Sequence, residues 1–212
     1  MRSTPRLVQF AALLALASGP PARGADCLRA IFFDLGNTLV DQTNPAPYPL
    51  FPTAQATIDS LQARGLALGI ITNVPAGWDR GDLEALLLQP AFLDEFDVLV
   101  LSSEAPAPKP DPAIYTHAYN LLALPRPTVA ATAFVGETIG EIGNTVLNPT
   151  LGARAIGMTG IHLSNGVPNP IADVTITTLD DLLTVESAPC SFLVDGFESA
   201  DAAAWSSCAG CP

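Results

Sequence analysis

Lysine is almost missing from this chain: of its 212 residues only Lys109 is one. Basic residues as a whole are scarce, with 9 Lys+Arg against 21 Asp+Glu and a net charge of −12. A surface that acidic repels phosphate backbones and anionic lipid heads, which excludes nucleic-acid or membrane-surface binding through general basicity. Charged residues make up only 14% and hydrophobic ones 49%, with mean hydropathy +0.34, so a disordered, charge-rich chain is excluded as well. Long apolar runs are also lacking. The run Leu7 to Ala17 falls short of the ~20 residues that a membrane-spanning helix needs. No internal repeat is visible, and the length favours one domain with room for a sizeable core.

What is present at the N-terminus is the three-part layout of a secretory signal. Arg2 and Arg6 precede the apolar run, Ser18-Gly19-Pro20-Pro21 breaks it, and small residues follow up to Gly24. Residues 1–24 are therefore expected to be removed, leaving no membrane anchor and a secreted or periplasmic protein. Cleavage takes away Arg2, Arg6 and Arg23 and no acid, moving the net charge from −12 to −15. All four cysteines, Cys27, Cys190, Cys208 and Cys211, follow the signal, and an even count in an exported chain points to disulfides. Three pairings are open. Residues 187–212, rich in Ser, Ala, Gly and Cys with acids, read as an appended tail after a domain over 25–186.

Between signal and tail, short apolar runs alternate with amphipathic stretches, the pattern of a parallel sheet with crossover helices. Strands are expected at Leu28 to Phe33, Ala67 to Ile71, Val98 to Leu101, Thr132 to Val135, Ala155 to Ile161 and Val174 to Thr177. Helices are expected at Thr53 to Arg64, stopped by Gly65; at Asp82 to Gln89, stopped by Pro90; and at Pro112 to Leu122, capped by Asp111. A last short helix follows Thr178.

In such a sheet reactive groups collect where strands end, and four strand ends carry polar residues. They read Phe33-Asp34-Leu35-Gly36-Asn37-Thr38-Leu39; Ile70-Ile71-Thr72-Asn73; Pro108-Lys109-Pro110-Asp111-Pro112; and Val135-Gly136-Glu137-Thr138, with Glu141 four residues on. A carboxylate can attack phosphorus and split one difficult hydrolysis into two easier steps; Asp34 is the candidate. The Thr72 hydroxyl and the Asn73 amide suit phosphoryl oxygens, and Lys109 supplies a fixed positive charge over developing negative charge. Carboxylate oxygens such as those of Glu137 and Glu141 suit a hard divalent cation.

In their order, these strings resemble the four motifs of the haloacid dehalogenase (HAD) superfamily of hydrolases and phosphatases, over about residues 28 to 185. The resemblance implies a three-layer Rossmann-like α/β fold, a parallel sheet with helices on both faces. It implies a Mg2+-dependent phosphatase with Asp34 as nucleophile, Thr72 and Lys109 as its catalytic companions, and a phosphorylated substrate. It makes Asp34, the Gly36 carbonyl, Glu137 and Glu141 the metal ligands. Two positions depart from the family pattern. Phosphatases of the superfamily usually carry a second aspartate where Gly36 stands, serving as general acid and base. Motif four is usually built on aspartates, here Glu137 and Glu141. The alternative is thus a catalytically weak or inactive HAD-like fold that serves as a binding or structural module. Neither Asp41 to Phe51 nor Val74 to Pro106 has room for a cap domain. An open site favours a larger phosphoester or closure by another subunit, so an oligomer is within expectation. His117 and His162 are read as surface or core residues rather than ligands.

Overall fold

The computed structural model of the chain describes residues 28–143, 148–164 and 169–185. The expected signal, all four cysteines and the tail lie outside the described residues, as does any test of them. The elements run β1 (Ala30–Phe33), α1 (Ala54–Ala63), β2 (Ala67–Thr72), α2 (Arg80–Glu84), β3 (Val98–Leu101), α3 (Pro112–Leu121), β4 (Thr132–Gly136), α4 (Ile139–Ile142), β5 (Thr159–Leu163), β6 (Val174–Ile176) and α5 (Leu182–Val185).

All six strands are parallel neighbours in the order β3-β2-β1-β4-β5-β6. The chain moves outward from β1 to β3, then returns to β4 on the other flank of β1. The strand order therefore reverses between β1 and β4, and the crevice outside their C-terminal ends is where such sheets bind ligands.

β1 is buried along its whole length, and its alternating side chains enter two cores. Ile31 and Phe33 pack with α1 residues Ile58 and Leu61 and with Leu182 of α5. Ala30 and Phe32 pack on the opposite face with Ile114, Tyr115 and Ala118 of α3 and Ile142 of α4. This period-2 division produces the three layers. Each fully buried large side chain contributes about 1.5–3 kcal/mol on that account.

Helix ends follow local chemistry. Gly65, at φ +79, takes the left-handed turn that stops the chain after α1. Asp111 accepts from the Ala113 amide and caps α3, with Pro112 in its first turn.

Two expectations are corrected. The helix expected at Asp82 to Gln89 is instead α2, Arg80–Glu84, opened by a capping box between Asp79 and Asp82. It stops early because the backbone beyond it pairs with another loop: Tyr48 N donates to Leu86 O at 2.7 Å, and Leu88 N to Tyr48 O at 2.9 Å. The strand expected at Ala155 to Ile161 begins only at Thr159, after a tight 3-10 turn over Ala153–Ile156. Gly157, at φ +98, redirects the chain between the two.

Candidate active site

Asp34 is the first residue beyond β1, at the point where the strand order reverses. Its amide donates to Val135 O at 2.8 Å, extending the β1–β4 ladder by one bond and fixing the side chain over the sheet edge. The loop then closes tightly, with the Leu39 and Val40 amides both donating to Leu35 O. That turn brings Thr38 back towards the carboxylate, and its hydroxyl donates to Asp34 Oδ2 at 3.4 Å.

Lys109 reaches the same place from the loop after β3. Its main chain is held by Asn73, just past β2: the Asn73 amide oxygen accepts from Lys109 N at 2.9 Å, and the amide nitrogen donates to Lys109 O at 3.0 Å. Asn73, expected to touch phosphate, is thus found gripping the lysine's backbone. The ammonium donates to Asp34 Oδ1 and forms an ion contact with Glu141 Oε2 at 2.7 Å, without the alignment of a hydrogen bond. It also lies 5.5 Å from the centroid of the Phe134 ring. Asp34 and Lys109 are 7% and 5% exposed, and Thr72, the last residue of β2, is buried alongside. An unpaired ammonium at such burial would be prohibitively costly, so the two carboxylates are what allow it there.

Glu141, on α4, is half-buried, and its carboxyl is pushed above the ordinary glutamate range. Burial is the main cause; Lys109 opposes the shift, while the negative charges of Asp34 and Glu137 add to it. Asp34 and Glu137 thus both repel the Glu141 carboxylate, and the Lys109 ammonium sits between Asp34 and Glu141. Tyr115 of α3 donates its hydroxyl to the Glu141 carbonyl at 2.9 Å and stacks edge-on against Phe134 at 5.1 Å. Burial, then the fields of Glu141 and Asp34, hold its phenol protonated far above the usual range. Glu137 follows β4, and its carbonyl accepts from His162 Nε2 at 2.9 Å. At Gly36 an added Cβ would stand 2.7 Å from the Gln42 side-chain amide, so that amide covers the bare Cα.

Of the residues expected from sequence, Asp34, Lys109, Glu141 and Thr72 are brought to one sheet edge, with Asn73 supporting Lys109 from behind. Among the described residues no three His, Cys, Asp or Glu side chains converge closely enough to hold a metal unaided. Thr38, Phe134 and Tyr115 were not singled out from sequence. Thr38 carried a signal, lying in the Asp34 string four residues on; the other two are core aromatics whose contact with the site depends on packing.

The structure places a buried carboxylate–ammonium pair, Asp34 and Lys109, at the reversal point of a doubly wound parallel sheet, where such folds bind their ligands. The family model of the haloacid dehalogenase-like hydrolases matches residues 44–142. A haloacid dehalogenase-like hydrolase domain-containing protein 3 from Bos taurus is 33% identical over 60% of this chain and 45% of its own length. A phosphoserine phosphatase from Thermus thermophilus is 26% identical over 84% of this chain and 64% of its own. This chain thus spans about half to two thirds of the length of these curated relatives. A crystal structure of a dehalogenase with an intermediate complex superposes with TM-score 0.60 at 16% identity, over 76% of this chain and 97% of the other. Over residues 44–142 the chain resembles the haloacid dehalogenase-like hydrolases in sequence, and it shares the fold of this dehalogenase structure.

Proposed function

We propose that the protein is an exported, Mg2+-dependent phosphatase that works through an aspartyl-phosphate on Asp34. The observation that carries the reading is the burial of the chain's sole lysine against Asp34 at the switch point of the sheet. Similarity to a phosphoserine phosphatase supports phosphoryl chemistry over other uses of the fold.

Lys109 holds one oxygen of Asp34, while the other has only the long Thr38 contact and is the freer one to attack. The Asp34–phosphorus bond forms as the bond from phosphorus to the alcohol oxygen breaks, and the departing oxygen takes its proton from water, because Gly36 has no side chain to give one. A second water then attacks phosphorus, gives up a proton that neutralises the hydroxide left by the first, returns Asp34 as a carboxylate and releases inorganic phosphate. The Lys109 ammonium and the Thr72 hydroxyl stabilise the negative charge that gathers on the phosphoryl oxygens.

The donor set fits Mg2+ in kind. Its groups are hard oxygens, and the repulsion that Asp34 and Glu137 exert on Glu141 is what a divalent cation relieves. Mg2+ is commonly bound by one or two carboxylates together with water and substrate oxygens, so a tight three-carboxylate cluster is not required. Asp34, the Gly36 carbonyl, Glu137 and Glu141 would hold it. When bound it neutralises phosphoryl charge and orients the ester.

Only residues 34–53 separate β1 from α1, and residues 73–97 separate β2 from β3. We read these short connections as a site without an inserted cap. The first experiment is phosphate release from a generic aryl phosphate by the chain from Ala25, with and without Mg2+, beside Asp34→Asn. Metal-dependent release that vanishes in the variant supports the reading. Release equal in both chains sinks it and favours the second reading, a HAD-like binding or structural module, which the bare Cα of Gly36 recommends.

A further inference from the structure

Beside Asp34 the sheet edge opens into a cleft of about 870 Å3 that runs from the β1–α1 loop to the ends of β4, β5 and β6. Thr38, whose hydroxyl donates to Asp34, and Glu137 both belong to its wall, so the cleft neighbours the Asp34 carboxylate without including it. Much of the wall is hydroxyl-bearing, including Thr43, Thr53, Ser164 and Thr177, with Phe51 and Leu179 adding apolar surface. Its formally charged members are both acids, Asp41 and Glu137, beside the imidazole of His162.

Among the described residues no lysine or arginine lines the cleft. Lys109 is spent on Asp34 and Glu141. Arg64 donates to Leu183 O, Arg80 pairs with Glu84 and Asp94, Arg126 donates to Asn120, and Arg154 pairs with Asp173. Arg29 precedes β1, at the opposite end of the strands. Outside the described residues the basic residues are Arg2, Arg6 and Arg23, all ahead of Gly24.

We propose that this cleft receives the alcohol part of the substrate and selects phosphomonoesters whose alcohol carries no carboxylate or second phosphate, with polyol groups favoured by the hydroxyl wall. The inference rests on the phosphatase reading and narrows its substrate class. With Glu137 committed to the metal on the phosphatase reading, an anionic alcohol would meet the carboxylate of Asp41 in a wall that no lysine or arginine lines, and like-charge juxtaposition is an effective means of rejection. A hydroxylated alcohol finds donors and acceptors throughout.

The test compares glycerol 3-phosphate with 3-phosphoglycerate, which differ by a hydroxymethyl group in place of a carboxylate. kcat/KM is measured for the chain from Ala25 with Mg2+, and binding of both esters is measured by calorimetry on Asp34→Asn. The glycerol ester is expected to lead by about tenfold or more. Thr53→Arg places a cation in the wall at a residue whose side chain makes no capping bond, and should raise 3-phosphoglycerate relative to its partner. Equal turnover, or a lead for 3-phosphoglycerate in the unmodified chain, overturns the inference and leaves the phosphatase reading intact. If neither ester is turned over but Asp34→Asn binds the glycerol ester more tightly, the phosphatase reading falls and the preference stands. Absence of both turnover and binding overturns the two together.

Discussion

At the scale of single residues the site is a charge balance, and Lys109 is its pivot. Removing a buried ammonium strands the carboxylates it served, a change that costs about 3–5 kcal/mol. Lys109→Met is therefore expected to lower unfolding stability in urea by about that amount while turnover disappears. Pairing it with Glu141→Gln removes one of the stranded charges, so the double variant should recover part of the stability and none of the activity. A double variant no more stable than Lys109→Met would show that Asp34 and Glu141 do not repel across that site. Gly36 invites the opposite experiment. A side chain there meets only the exposed end of Gln42, which can swing away, and Gly36 has no positive φ to forbid substitution. Gly36→Asp supplies the missing proton donor, and general acid–base assistance is typically worth about 10²–10⁴-fold. A rise in kcat of at least tenfold on an alkyl phosphate, whose leaving group needs protonation most, is expected; an unchanged rate would mean that proton transfer does not limit turnover.

At the scale of elements, the parts legible in the sequence were those set by burial. β1 and the middle of β4 are apolar runs because both faces of a central parallel strand are covered, and both strands are buried throughout. α2 was misplaced because Leu86, Leu87 and Leu88 read as a helical apolar face, whereas Tyr48, some forty positions away, takes their backbone bonds. The same distance in sequence hid how Asn73 grips Lys109, and why Tyr115 touches Glu141. Asp34 and Lys109 were visible as polar residues at strand ends, but their contact is a product of the strand order. At the last turns the signal was local: Asp181 accepts from the Thr178 and Thr177 amides at 3.0 and 2.8 Å, which holds its carboxyl below the ordinary aspartate value of 3.8. A folded pKa below the unfolded one gives stability that is present above about 3.8 and lost as pH falls through the folded value. Asp181→Ala should cost about 0.5–2 kcal/mol at neutral pH, as capping deletions do. The difference from the unmodified chain should shrink below pH 3.8; a gap that stays constant in acid would assign the loss to packing instead.

At the scale of the whole molecule, the site is assembled from segments far apart in the sequence. Asp34 ends the central strand, Lys109 arrives from the far flank through β3, and Glu137 and Glu141 come from the near flank through β4 and α4. A cation held among them ties the two halves of the sheet together at the edge where the strand order reverses. Because it binds the folded arrangement and not the open chain, it must stabilise that arrangement by mass action, by about 2.7 kcal/mol when present at a hundred times its dissociation constant. For chains of this general size about 2–4 °C of melting temperature accompanies each kcal/mol, so saturating Mg2+ should raise Tm by about 5–10 °C over the same protein in EDTA. The shift should be lost in Asp34→Asn, which halves the charge balance at the pivot. The opposing result is equally definite. The acids around Lys109 repel one another, so a Tm that does not respond to Mg2+ would mean the ammonium alone satisfies them and that the site holds its charge without a metal.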